Sequence, residues 1–136
     1  MSKVEAVVAA TAIESGHFHA VERPVDPDNL LRLFDQLVGI EQGYLEVRST
    51  GHEFPLITVG LRDGFAVIHC ASASDQMALL LGDGSVPPEE TVQVPIMDEL
   101  ATFTGGFVLN AARARKVLED FVDSGNPATL GKWCDL

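Results

Sequence analysis

The stretch PLITVGL-RDG-FAVIHC limits the fold more than any other part of the chain. Two runs rich in β-branched and aromatic residues flank Asp63-Gly64, a pair favoured in two-residue type I′ hairpin turns. That turn sets Leu61 opposite Ala66, Val59 opposite Ile68 and Ile57 opposite Cys70. This face is uniformly apolar and is predicted to pack on helices. The other face sets Arg62 against Phe65, Gly60 against Val67 and Thr58 against His69, and it reads as half exposed.

The other elements are arranged around this hairpin. VEAVVAATAI, residues 4–13, is small and β-branched and reads as a buried strand. Ser15-Gly16-His17 is a turn, and His17 to Val21 is a second short strand. A helix follows, with Asp26 as N-cap, Pro27 in the first helical position and Asp28 at the positive end of the dipole. Leu30, Leu33, Phe34 and Leu37 repeat at helical spacing, Leu31 and Val38 widen the stripe, and Gly39 ends it. Tyr44 to Ser49 alternates as a strand with Leu45 and Val47 inward. Met77–Leu81 and Thr91–Met97 are further strands, the second ending near Pro95, separated by the loop GDGSVPPEE. Residues 98–106 fit no single element.

Asn110 caps the last helix, whose core stripe is Ala114, Val117, Leu118, Phe121 and Val122. Gly125 and Pro127 stop it. Its charges run against the dipole, with Arg113, Arg115 and Lys116 early and Glu119, Asp120 and Asp123 late. The pairs Arg115–Glu119 and Lys116–Asp120 offset part of that cost, and tertiary ion pairs are expected to account for the rest. The whole reads as one α+β domain over residues 1–136, a mainly antiparallel sheet of about five to six strands with two principal helices packed on it.

Charge excludes some functions. Nine basic residues against twenty acidic ones leave a net charge of −11. Gripping a nucleic-acid backbone requires clustered Lys and Arg, so nucleic-acid binding is not expected. Acidity serves either solubility or attraction to a basic partner. The opening MSKVEAVVAATAIES has no persuasive cleavage site and no apolar run reaches a membrane span, so a cytoplasmic protein is expected. Cys70 and Cys134 are expected to be free thiols.

The search for chemistry ends without a catalytic, cofactor or metal site. His17 and His19 form an H-x-H pair, which on a strand points both rings to one side, but no third ligand stands at metal spacing. His69 and Cys70 are strand neighbours and point to opposite faces, so they form no catalytic dyad. GDGS at 82–85 lacks the Lys and the helix of a phosphate cradle.

The stretch VLNAARARKVLEDFVDSGNPATLGKW closes on Phe121, Gly125, Pro127, Leu130 and Trp133. Together with FPLITVGLRDGFAVIH and the opening GHFHAVERPVDPDNLLRLFDQL, it resembles the immunity proteins of bacterial polymorphic toxin systems, specifically Immunity protein family one. The resemblance covers roughly residues 5–135. It departs from the family at Asn110, where Pro is common, and at Gly131, which loosens the spacing between Pro127 and Trp133. Trp133 itself is read as sealing a core edge.

The resemblance implies an antiparallel sheet flanked by helices, no catalytic residues, and stoichiometric binding of a cognate toxin domain encoded by a neighbouring gene. Such toxins are often nucleases or nucleic-acid deaminases. The expected assembly of the protein alone is a monomer or weak homodimer. The expected contacts, chosen on charge and loop character, are Asp75, Asp83, Glu89 and Glu90, then Asp98 and Glu99. Two other functions fit the composition. One is an acidic secretion-chaperone-like dimer. The other is a small α+β enzyme or ligand-binding domain, which a deep pocket holding His17, His19 or His69 beside a carboxylate would favour.

Overall fold

The computed structural model describes residues 6–136. Strands β1 (Ala6–Thr11) and β2 (Phe18–Val25) lead into helix α1 (Pro27–Gly39). Strands β3 (Gln42–Ser49), β4 (Leu56–Arg62), β5 (Phe65–Ala73) and β6 (Gln76–Leu80) follow as an antiparallel run. A separate hairpin is made of β7 (Thr91–Ile96) and β8 (Glu99–Thr104). The short β9 (Leu109–Asn110), helix α2 (Ala111–Ser124) and β10 (Trp133–Asp135) complete the chain. The main sheet runs β10-β6-β5-β4-β3-β1-β2, with β9 beside the start of β5. The fold is α+β with an antiparallel sheet. The strand count exceeds the expected five to six because the main sheet alone has eight strands. Two of these are very short, β9 with two residues and β10 with three. Such segments carry little apolar alternation.

The β4–β5 register is the one expected, with Leu61 opposite Ala66, Val59 opposite Ile68 and Ile57 opposite Cys70. Asp63 and Gly64 both take positive φ, 53° and 84°, as a type I′ turn requires. The apolar face packs under the helices. α1 contributes Leu30, Leu33, Phe34 and Leu37; α2 contributes Ala114, Val117, Leu118 and Phe121. Fully burying one such side chain is worth about 1.5–3 kcal/mol, so this layer is the main source of stability. Asp26 accepts from the Asn29 N–H at 2.8 Å, and Asn110 from the Arg113 N–H at 2.8 Å. Each cap stabilises its helix by about 1 kcal/mol. Gly125, at φ 66°, closes α2 as expected.

The charge order on α2 is resolved mainly by partners outside the helix. Arg115 makes a two-pronged contact with Asp35 of α1, at 2.9 and 3.2 Å, in place of the expected Glu119. Lys116 does pair with Asp120, at 3.1 Å, and also reaches Glu119 at 3.4 Å. Arg113 donates to the Leu130 carbonyl at 3.2 Å. Trp133 packs against the core edge, and its indole N–H donates to the Pro127 carbonyl at 2.8 Å.

The opposite face of the sheet is not half exposed. Val67 is fully buried and Thr58 nearly so, because β7 lies across β3, β4 and β5 and closes that face. Val67, Leu79, Val86, Val94 and Val108 form a second core there. The domain thus has three layers: helices, sheet and hairpin. Gly60 makes the close approach possible, because a Cβ there would sit 2.5 Å from the Pro95 carbonyl oxygen and 3.0 Å from Val94 Cγ2. No helix among the described residues is long and apolar enough to cross a membrane.

Gly60→Ala should therefore lift the hairpin. Overpacking of this kind costs about 1–3 kcal/mol. Urea unfolding should show a lower midpoint, and hydrogen exchange should speed up across residues 91–104 while α1 and β3 keep their protection. Unchanged exchange in the hairpin would contradict the tight contact.

Candidate functional site

The structure divides the six expected contact carboxylates into three groups. Glu89 and Glu90 stand at the base of the β7–β8 hairpin, and Asp98 and Glu99 at its tip. Each strand has six residues, so the two acidic pairs are roughly 20 Å apart along one rib. Asp75 is away from them, in the turn between β5 and β6, where it lines a shallow hollow with Met77, Asp135 and Leu136. Asp83 lines a different hollow with Arg113 and Lys132.

Two of the six are engaged within the fold. Asp83 accepts from the Ser85 N–H at 2.9 Å and the Asn110 N–H at 3.0 Å, tying the long loop to the start of α2. Partial burial pushes its pKa up, but the hydrogen bonds from Ser85 and Asn110 outweigh this and leave it lowered. Asp98 accepts from the Phe18 N–H at 2.8 Å and lies 3.8 Å from His17 Nδ1, so it pins the hairpin tip to the start of β2. Asp75, Glu89, Glu90 and Glu99 are exposed and make no ion pair among the described residues.

The hairpin layer has a charge bias that the residue-by-residue reading missed. Residues 63–112 contain seven acidic side chains and no Lys or Arg. A running count of charge sign along the chain would have found it. Basic residues elsewhere are partly consumed: Arg48 by Glu22 at 2.8 Å, Arg115 by Asp35, and Lys116 by Asp120. This segment thus carries −7 of the net −11, with Glu89, Glu90, Asp98 and Glu99 on the hairpin and Asp63 and Asp75 in turns of the main sheet. Apolar groups accompany it, with Met97 at the tip 52% exposed and Leu100 of β8 44% exposed.

The buried titratable groups are poorly placed for catalysis. Burial pushes the Cys70 thiol up to about 11, which keeps it protonated and unreactive. Burial, together with the hydrogen bond to Glu46, raises the Tyr44 hydroxyl well above its usual range. His69 is lowered by burial and packs edge-on against Phe103 at 5.5 Å. It faces the hairpin, whereas Cys70 faces the helices, as strand neighbours must. His17 and His19 do not share a side. His17 precedes β2 and lies near Asp98, so strand alternation does not reach it. His19 lines an open cleft of about 370 Å³ with Glu14, Arg23 and Leu33. Among the described residues no three His, Cys, Asp or Glu side chains come close enough to hold a metal ion.

No protein-family model matches the chain, and no curated protein matches it. The family resemblance accordingly rests on the residues quoted for it.

Asp83 supports the loop above all. Asp83→Ala is expected to lower stability by about 0.5–1 kcal/mol at pH 7, the range for exposed carboxylate–amide bonds. The Asp83 pKa is lowered in the fold, so its contribution is present above the unfolded carboxylate range. It fades as pH falls through the folded value. Wild-type and variant stabilities should therefore converge in acid; urea titrations at pH 7 and pH 3 would test this.

Proposed function

We propose that this protein is an immunity protein. On this reading it binds a cognate secreted toxin domain, a nuclease or nucleic-acid deaminase, and occludes its active site stoichiometrically. The observation that carries the proposal is the hairpin layer. It is a rib laid over the sheet, with exposed unpaired carboxylates at both ends and no Lys or Arg in residues 63–112. An enzyme that acts on nucleic acid needs a basic cleft to hold phosphates. A rib with acids spaced along it presents such a cleft with the charge it is built to receive. Complementary fields raise the association rate and disfavour wrong partners. The resemblance in the Phe121–Trp133 segment adds independent support, as does the α+β architecture that it implies.

A second reading, a small ligand-binding domain, draws on the open cleft lined by His19, Glu14 and Arg23. It predicts that His19→Ala abolishes function, whereas the immunity reading predicts full function.

The deciding experiment is co-expression with the toxin domain encoded by the adjacent gene. Wild-type protein should protect cells and co-purify in a one-to-one complex. The double charge reversal Glu89→Lys/Glu90→Lys should slow association by about tenfold or more at low salt, with a smaller loss at high salt. Unprotected cells and no complex with the wild-type protein would overturn the proposal. A stable homodimer that leaves the toxin active would favour a chaperone-like role instead.

A further inference from the structure

The β7–β8 connection is a two-residue turn, because Ile96 pairs with Glu99 and leaves only Met97 and Asp98 between them. Such turns take type I′ or II′ geometry. Met97 has φ 60°, while Asp98 is not among the residues with positive φ, which is the type II′ pattern. Type II′ calls for Gly in the first central position. A Met there strains the backbone, since its Cβ crowds the neighbouring carbonyl. The strain is not repaid by packing, because the Met97 side chain is half exposed. At the Asp63-Gly64 turn the positive φ falls on residues that tolerate it; Met97 and Glu41, at φ 65°, are the described residues that carry it without that suitability.

The tip is also held still. Asp98 fixes it to the Phe18 N–H, and β7 is clamped along its length by β3, β4 and β5. Met97, Leu100 and the carboxylate of Glu99 are thus presented on a pre-organised support, with little ordering left to lose on binding.

We infer that Met97 is the anchor of the partner contact. It inserts, with Leu100 beside it, into an apolar slot of a basic protein surface, while Glu99 meets a cation near that slot and Glu89 and Glu90 meet others about 20 Å along the rib. Charge complementarity sets the occupant. A second copy would bring the same acids against themselves, in a chain of net charge −11. A flexible thioether suits such a slot because it adapts to an irregular wall. Acidic surroundings and an apolar anchor should also divide the kinetics, the acids acting on association and Met97 on dissociation.

This rests on the toxin-binding reading, and its test separates the two. Met97→Gly and Met97→Asn would be purified and compared with wild type in thermal unfolding and in surface binding to the toxin domain encoded by the adjacent gene. Both variants should unfold about 2–5 °C higher, since they relieve the turn. Both should bind at least tenfold more weakly, mainly through faster dissociation. Higher stability with weaker binding is a signature that a merely structural Met cannot produce. Lower stability in both variants would overturn the inference, as would unchanged dissociation with the wild-type complex intact. A wild-type dimer in light scattering that Met97→Gly converts to monomer would also overturn it, by making a second copy the occupant. Absence of any wild-type complex would remove the toxin-binding reading itself.

Discussion

The register between β4 and β5 governs everything built around them. A one-residue slip would turn Ile57, Val59, Leu61, Ala66 and Ile68 away from the helices and place Thr58 and His69 beneath them. The two-residue turn at Asp63-Gly64 opposes that slip through local geometry. Once it is set, both faces of the central strands are defined. One takes α1 and α2; the other takes β7 across Gly60, whose missing side chain leaves room for the Pro95 carbonyl.

The edges of the sheet are defended by different means. At one end, Ala20, Val21 and Glu22 of β2 stand opposite the single residue Ala9, because the register jumps from Val8–Arg23 to Ala10–His19. A distortion of that size breaks the regular row of edge donors and acceptors that would template another chain. Glu22 leaves the bulge to meet Arg48 with two short contacts, at 2.8 and 2.9 Å. At the other end the chain covers β6 with its own terminal strand, positioned by the Trp133 indole on the Pro127 carbonyl.

The helix-side layer was legible in the sequence because its signals are local. The Asp26 cap, the Leu30–Leu37 stripe, the Asp63-Gly64 turn and the Asn110 cap each act within a few residues, and all four stand where they were expected. The hairpin layer was not legible, because its cause is distant. Gly60 and Thr58 read as a weak, partly wet face until β7, more than thirty residues later, is placed over them. Residues 98–106 resisted assignment for a related reason. β8 keeps Glu99, Leu100, Thr102 and Thr104 exposed, so alternation between core and solvent is faint. Of the candidate contact acids, Asp83 and Asp98 were chosen for their charge, yet each also makes backbone hydrogen bonds that hold a loop. Charge is visible in a sequence; the amide that a carboxylate accepts from is not.

The three layers divide unequally in stability between the two faces of one sheet. The helix-side core is large, apolar and capped, and it tolerates a second layer that is less favourable in itself. That second layer holds several like charges along one rib and a side chain in a turn conformation suited to glycine. Like charges repel, and strain raises the energy of the turn, so both weaken the hairpin's own attachment. Isolated two-stranded hairpins are marginal in water, and this one could not carry these costs alone. It persists because Val94 and Val92 share a core with Val67 and Leu79, and because Asp98 reaches back to β2. The same contacts that hold the rib in place also limit its motion, and under the proposed immunity role they would present charge and one apolar side chain in a fixed arrangement.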